Sequence, residues 1–249
     1  MEKLKNEKEF LERIYKTYDD RSPYERFMRE YIIKSIKPFL DKKKEGLEFG
    51  CSDGFMSKLI IDELKSLDIV DGTQKALDDA KKQIGGNTSV KYHCSLFETF
   101  YSEKKYDVIF ASYILEHVLN PEEILVKLKS LLKLNGIIVI VVPNSRALSR
   151  QISLNMGIIK DLKDLTENDI KHGHRRVFDR KSLNVMLKEN NFKNIYEGGL
   201  ILKLLADFQM DKIIEDEVID HRQIEALFQL GLEFPDLCGS LLTISTEAL

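Results

Sequence analysis

The sequence predicts an α/β domain built on a mostly parallel sheet, and three observations carry that reading. The run Leu47-Glu48-Phe49 enters the turn Gly50-Cys51-Ser52-Asp53-Gly54, and the helical spacing of Met56, Leu59 and Ile60 follows. A second apolar run, Leu67-Asp68-Ile69-Val70, ends in Asp71, seventeen residues past Gly54. The stretch Tyr106-Asp107-Val108-Ile109-Phe110-Ala111-Ser112 is apolar on successive positions, as a strand buried on both faces must be.

Residues 1–44 read as helical and lie outside the sheet. Ser22-Pro23-x-Glu25 is a helix-start signature, with serine as N-cap and proline at the first helical position. Tyr24, Phe27, Tyr31, Ile32 and Ile36 then mark one helix face. In the turn, glycines at 50 and 54 permit positive φ and close backbone approach. Amides opening the following helix can therefore face polar groups of a ligand. Ala76, Leu77 and Ala80 space a second helix, and residues 90–94 a third strand. After the strand at 106–112 come a helix at 121–132, the turn Asn135-Gly136, and a strand at 137–142 closed by Pro143-Asn144. Residues 146–182 hold a short helix and the run His172-Gly173-His174-Arg175-Arg176. A helix at 180–190 and strands at 194–202 and 240–245 complete the chain. Between those strands, residues 203–237 form a helical insertion too long for a hairpin loop. It either covers a ligand site at the sheet or makes a homodimer contact.

Composition narrows the partners. A chain of 249 residues with net charge −3 and no lysine-arginine tract is a poor match for a long nucleic acid. No apolar run approaches the ~20 residues of a membrane span, and no signal-peptide pattern opens the chain. Cys51, Cys94 and Cys238 show no paired spacing, which predicts free thiols in a reducing cytoplasm. Abundant Lys, Ile and Asn without Trp suits an AT-rich bacterial gene.

The segments 48–54, 69–72, 106–110, Leu115-Glu116-His117-Val118 with Pro121, and 135–144 together resemble the class I S-adenosylmethionine-dependent methyltransferases. They resemble closely the small-molecule branch that includes the ubiquinone-pathway O-methyltransferases. The likeness covers about residues 40–145 and is weaker beyond. Ser52 departs from it, standing where the family usually carries a third glycine. The resemblance implies a Rossmann-like three-layer sandwich, its seven-stranded sheet mostly parallel with an antiparallel last strand. It implies one domain: a helical cap at 1–44 that lids the cofactor, a cofactor-binding core at 45–145, and acceptor-side insertions at 146–190 and 203–237. S-adenosylmethionine is the implied cofactor and S-adenosylhomocysteine the product. Gly50, Cys51, Asp53, Gly54, Asp71 and Gly72 would hold it, Asp71 through the ribose hydroxyls. Leu96 and Phe97 would sandwich the adenine, and Ser112 and Tyr113 would line the methionine end. Tyr18 and Arg26 can reach the methionine carboxylate; a packed tyrosine and an exposed arginine are the simpler reading.

Methyl transfer asks the protein to hold donor and acceptor in line and to exclude water. A hydroxyl acceptor also needs a base. His117 lies just past the fourth strand, where ligands of open α/β sheets bind, and is the first choice; His174 is the second. His172, Arg175 and Glu116 are assigned to the substrate, since imidazoles and guanidiniums suit a small anionic acceptor. A V-P-N strand end followed by G-H-x-R resembles enzymes of surface-polysaccharide or antibiotic pathways. A sugar nucleotide, or a phosphoryl or phosphoramidate oxygen of a capsule precursor, is therefore expected. No metal is assigned: Tyr113 replaces the first acid of the E-x-x-E-H pattern with which some resembling enzymes bind a cation. Neighbours on a regular helix also do not converge, so chelation by Glu116 and His117 requires an irregular loop. Three alternatives stay open. They are an NAD-dependent oxidoreductase, for which the turn lacks G-x-G-x-x-G; a nucleic-acid base methyltransferase; and a catalytically silent cofactor-binding partner subunit.

Overall fold

The computed structural model describes residues 2–17 and 21–248. Ahead of the sheet stand α1 (Glu2–Thr17) and α2 (Pro23–Ile36). Ser22 caps α2 by accepting from the Glu25 N–H at 3.4 Å, and Pro23 takes the first turn, where its missing donor costs nothing. The Glu25 carboxylate turns instead to Arg29, one helical turn on.

The chain then alternates strand and helix: β1 (Glu45–Phe49), α3 (Phe55–Ile61), β2 (Ser66–Asp71), α4 (Gln74–Ile84), β3 (Val90–Cys94), β4 (Tyr106–Ser112), α5 (Pro121–Leu131) and β5 (Leu132–Pro143). Short helices α6 (Leu148–Asn155) and α7 (Glu167–Lys171) precede α8 (Arg180–Glu189) and β6 (Phe192–Gly199). The insertion contributes α9 (Asp207–Glu215) and α10 (His221–Glu233) before β7 (Ser240–Glu247). β5 starts at Leu132, ahead of the predicted strand, because Leu132 pairs with Tyr106 before a register shift, and Asn135 follows at φ 62°.

The seven strands are ordered β3-β2-β1-β4-β5-β7-β6. Pairings among β1 to β5 are parallel, and β7 runs antiparallel to both β5 and β6. The order reverses between β1 and β4, which opens a crevice at their carboxyl ends. Residues on β4 alternate between two cores: Val108 and Phe110 join one layer, Ile109 and Ala111 the other. The first layer takes Tyr24, Met28 and Ile32 of α2 together with Ile224 and Phe228 of α10. The second takes Ile124, Leu125 and Leu128 of α5 with Leu183 and Leu187 of α8. Burial on both faces explains the unbroken apolar runs of the central strands. The insertion spends its apolar face on the first layer, where Phe228 stacks on Tyr31 with ring centres 4.4 Å apart. No helix among the described residues is long and apolar enough to cross a membrane, and all three cysteines are free.

Candidate functional site

A cavity of about 150 Å³ fills the crevice between β1 and β4. Its floor is the glycine turn. Gly50 has φ 75° and donates its N–H to the Val70 carbonyl at 2.8 Å. A Cβ there would stand 2.5 Å from Ile114 Cδ1, so glycine is what allows the loop after β4 to close on the turn. Ser52 adopts φ 46°, a conformation that favours glycine, which gives its departure from the family pattern a backbone cost. Asp53 lines the cavity and pairs with Arg26 at 2.6 Å, so Arg26 neither reaches inward nor stands exposed. Tyr18 lies outside the described residues. Gly54 is oriented differently from the sequence expectation. It does not line the cavity, and a Cβ on it would meet Ala80 Cα at 2.4 Å, so its glycine serves the approach of α3 to α4.

Asp71 staples two turns together. One carboxylate oxygen accepts from the Cys51 N–H at 3.2 Å, the other from the Thr73 N–H at 2.8 Å and hydroxyl at 3.0 Å. Burial raises its pKa in spite of those bonds. Cys51, Asp71, Gly72 and Thr73 all border the cavity. Phe97 does so too, stacked on Phe49 at 4.8 Å, while Leu96 lines a side cavity of about 30 Å³ with Gly72 and Glu98. Toward the other end, Ser112, Tyr113 and Ile114 form the wall. Two buried polar atoms there, Glu48 Oε2 and Ser112 Oγ, have no hydrogen-bond partner, and both residues face the cavity. Buried polar groups are normally satisfied, so these await one. An aromatic shelf, a carboxylate for hydroxyls and unsatisfied polar atoms at the far end fit an adenosine joined to a charged tail.

His117 borders both cavities, in the smaller one beside Gly72, Leu96 and Phe97. Tyr113 takes φ 58°, and the residues from 114 to 119 form turns rather than helix, so the loop required for convergence of Glu116 and His117 exists. His174 comes in from the segment after α7, its ring centre 4.8 Å from that of His117; His172 is 6.2 Å from His174. His174 Nδ1 is 3.0 Å from Asp169 Oδ1, and Asp169 also accepts from Thr166 and from Arg150 at 2.9 Å. Glu116 is fully buried with both carboxylate oxygens unpartnered. Among the described residues, donor atoms of Glu116, His117 and His174 all lie within 4.8 Å of one another, a set able to hold a cation. Burial raises Glu116 to about 7. Burial, with His174 alongside, lowers His117 to about 3, so it is neutral near pH 7. Burial opposes the charge on His174 as well, but Asp169 and Glu116 outweigh it and raise the imidazole.

The two arginines are not directed at a substrate, against the sequence expectation for Arg175. Its guanidinium is committed to Glu7 at 2.9 Å and to the His117 carbonyl at 2.6 Å. Arg176 donates to the carbonyls of Leu115, Val118 and Leu119. Sequence reasoning missed Leu11, Ile14 and Tyr15 of α1, Met56, Arg29 and Glu48, which also line the cavity. An acid inside a buried strand was the available signal for Glu48, and the spacing of Leu11 and Ile14 was the signal for α1.

A family model described as a methyltransferase domain matches residues 24–197, more than half of the chain. A malonyl-[acyl-carrier protein] O-methyltransferase of Ilyobacter polytropus is 27% identical over 128 residues, 49% of this chain and 48% of its own. A ubiquinone biosynthesis O-methyltransferase of Rickettsia felis is 29% identical over 114 residues, 45% of this chain and 47% of its own. The chain thus spans about half the length of these curated relatives. Among solved structures, the N-methyltransferase NodS of Bradyrhizobium japonicum, in complex with S-adenosyl-L-homocysteine, superposes with a TM-score of 0.63. It covers 97% of this chain and 98% of its own at 13% identity, a likeness of fold. With the matched model spanning the glycine turn, Asp71 and the histidine loop, the chain belongs to the methyltransferase domain family.

Proposed function

We propose that the chain binds S-adenosylmethionine and methylates an oxygen of a small, polar, anionic acceptor. A sugar nucleotide, a capsule or secondary-metabolite precursor, or a phosphoryl or phosphoramidate oxygen has that chemistry. One observation carries the reading: the glycine turn, Asp71 and His117 all line a single cavity. The names of the two curated relatives favour oxygen as the methylated atom.

Bound there, the cofactor would supply an electrophilic methyl carbon. Asp71 holds the ribose hydroxyls, and Glu48 and Ser112 bring unsatisfied polar atoms to the tail. Leu11, Ile14 and Tyr15 of α1 add a largely apolar side to the cavity. One ring N–H of His117 bonds to the Gly173 backbone, which orients the ring; with its pKa lowered to about 3, the neutral imidazole serves a hydroxyl acceptor as a positioning partner and only as a weak base. An acceptor oxygen that is already ionised needs His117 for orientation alone. Arg29, which lines the cavity while pairing with Glu25, supplies the guanidinium that an anionic acceptor would meet.

A second reading has a cation held by Glu116, His117 and His174. The unpartnered oxygens of buried Glu116 favour it, as does Asp169, placed as carboxylates that orient metal-binding histidines are. A cation would make an acceptor hydroxyl more acidic.

Calorimetric titration with S-adenosylhomocysteine and with NAD tests the cofactor; preference for NAD, or no binding of the homocysteine at saturation, refutes it. Transfer of labelled methyl to a panel of phosphorylated sugars then tests the acceptor class, with neutral sugars as the contrast. Loss of transfer on chelation, restored by a divalent metal, selects the second reading.

A further inference from the structure

α1 is seated on both ends of the site. On the cofactor side Leu11 rests on Gly72, where a Cβ would stand 2.7 Å from Leu11 Cδ1. On the histidine side Ile14 and Phe10 rest on Gly173, where a Cβ would stand 3.0 and 3.2 Å from them. Gly173 sits between His172 and His174 at φ 81°, in the left-handed region. One helix therefore touches the turn after β2 and the segment that carries His174.

Arg175 extends that contact into the loop after β4. Its Nη2 donates to both oxygens of the buried Glu7 carboxylate at 2.9 Å, and its guanidinium lies 4.5 Å over the Phe10 ring. The same side chain donates from Nε to the His117 carbonyl at 2.6 Å, and its backbone N–H donates to the Glu116 carbonyl at 2.8 Å. Arg176 collects the carbonyls of Leu115, Val118 and Leu119. Every carbonyl from 115 to 119 is thus received by these two residues. Hydrogen bonds of this charged kind are stronger than neutral ones, and breaking a buried pair by removing one partner is costly.

We propose that the Glu7–Arg175 pair couples the helix over the cofactor to the histidine loop, so that His117 is held in place while α1 is seated. Arg175 is then a positioning residue, acting on His117 through its carbonyl rather than on the acceptor. The link itself is a property of the ligand-free chain; its response to S-adenosylhomocysteine rests on the cofactor reading above. Acceptor chemistry is in this way confined to the state in which the cofactor end is sealed.

Hydrogen exchange of peptides spanning 113–119, read by mass spectrometry, tests the coupling without an acceptor. In the ligand-free protein, Glu7→Gln speeds exchange of that loop by about tenfold, the scale of one lost charge-assisted bond. Glu9→Gln, on the exposed face of the same helix, leaves it unchanged. In an Arg175→Met background the effect of Glu7→Gln disappears, which a merely local role for Glu7 would not produce. Added S-adenosylhomocysteine slows exchange of the loop in the unaltered protein and fails to do so in Glu7→Gln. Equal loop exchange in Glu7→Gln and unaltered ligand-free protein overturns the proposal, as does a Glu7→Gln effect that persists in Arg175→Met. Absence of any response to S-adenosylhomocysteine in the unaltered protein refutes the cofactor reading instead, and the ligand-free comparison still decides the coupling.

Discussion

Glu48 ends up in the cavity wall as a buried carboxyl, 3% exposed, with one oxygen lacking a partner. Burial raises its pKa to about 8, whereas an unfolded glutamate releases its proton near 4.3. The folded chain then binds this proton more tightly than the unfolded one. Its stabilising effect is complete below about pH 4 and is lost as pH climbs through about 8. Glu48→Gln should accordingly melt at about the same temperature as the unaltered protein at pH 5 and above it at pH 8.5, by the equivalent of a few kcal/mol. A melting difference that does not change with pH would refute the assignment. Asp71→Ala should weaken S-adenosylhomocysteine binding by roughly 1–3 kcal/mol, as loss of a charged hydrogen-bond partner does; unaltered affinity by calorimetry contradicts the ribose role. The place of Asp71 in the cavity wall was legible in the sequence because it follows from local position, at the end of a strand a fixed distance past the glycines. Arg175 was not. Its partners are a carbonyl 58 positions away and a carboxylate 168 positions away, and residue type alone cannot tell a buried clamp from a substrate ligand.

The elements were legible wherever apolar periodicity is strong. The strands at 90–94 and 106–112 and the helix at 121 follow from pattern and capping chemistry, since burial on both faces or on one stripe leaves a mark on every position. Boundaries blurred at β5, where Asn135 at φ 62° hides an extension of the strand inside what reads as a turn. The glycine turn shows the same limit in another form. Its two glycines look equivalent in sequence, yet Gly50 faces Ile114 and the cavity while Gly54 faces the backbone of Ala80 in α4. Gly54→Ala must therefore force α3 away from α4 and adopt φ 84° with a side chain. The expected cost is roughly 2–4 kcal/mol in stability, the sum of a left-handed alanine and an overpacked helix contact. Urea unfolding measures it. A loss under about 0.5 kcal/mol would mean that α4 yields freely and that the glycine is there for the ligand after all.

At the scale of the molecule, the site is assembled from segments spread along nearly the whole chain. α1 roofs the cavity, β1 and β4 floor it, and the segment after α7 fixes the histidine loop, while α10 packs with α2 into the core beneath. A ligand that fills the cavity therefore touches parts that must separate when the protein unfolds. It binds the folded chain and has no counterpart site in the unfolded one. S-adenosylhomocysteine at one hundred times its dissociation constant should then add about 2.7 kcal/mol to folding stability. For a chain of this size each kcal/mol moves the melting temperature by about 2–4 °C, which gives a rise of roughly 5–10 °C. NAD at the same concentration should leave the transition in place, because the turn G-C-S-D-G lacks the spacing with which dinucleotide folds cradle a pyrophosphate. A rise with NAD equal to that with S-adenosylhomocysteine would show that the cavity does not discriminate between the two nucleosides. The assignment of Asp71 and the glycine turn to a sulfonium cofactor would then fall.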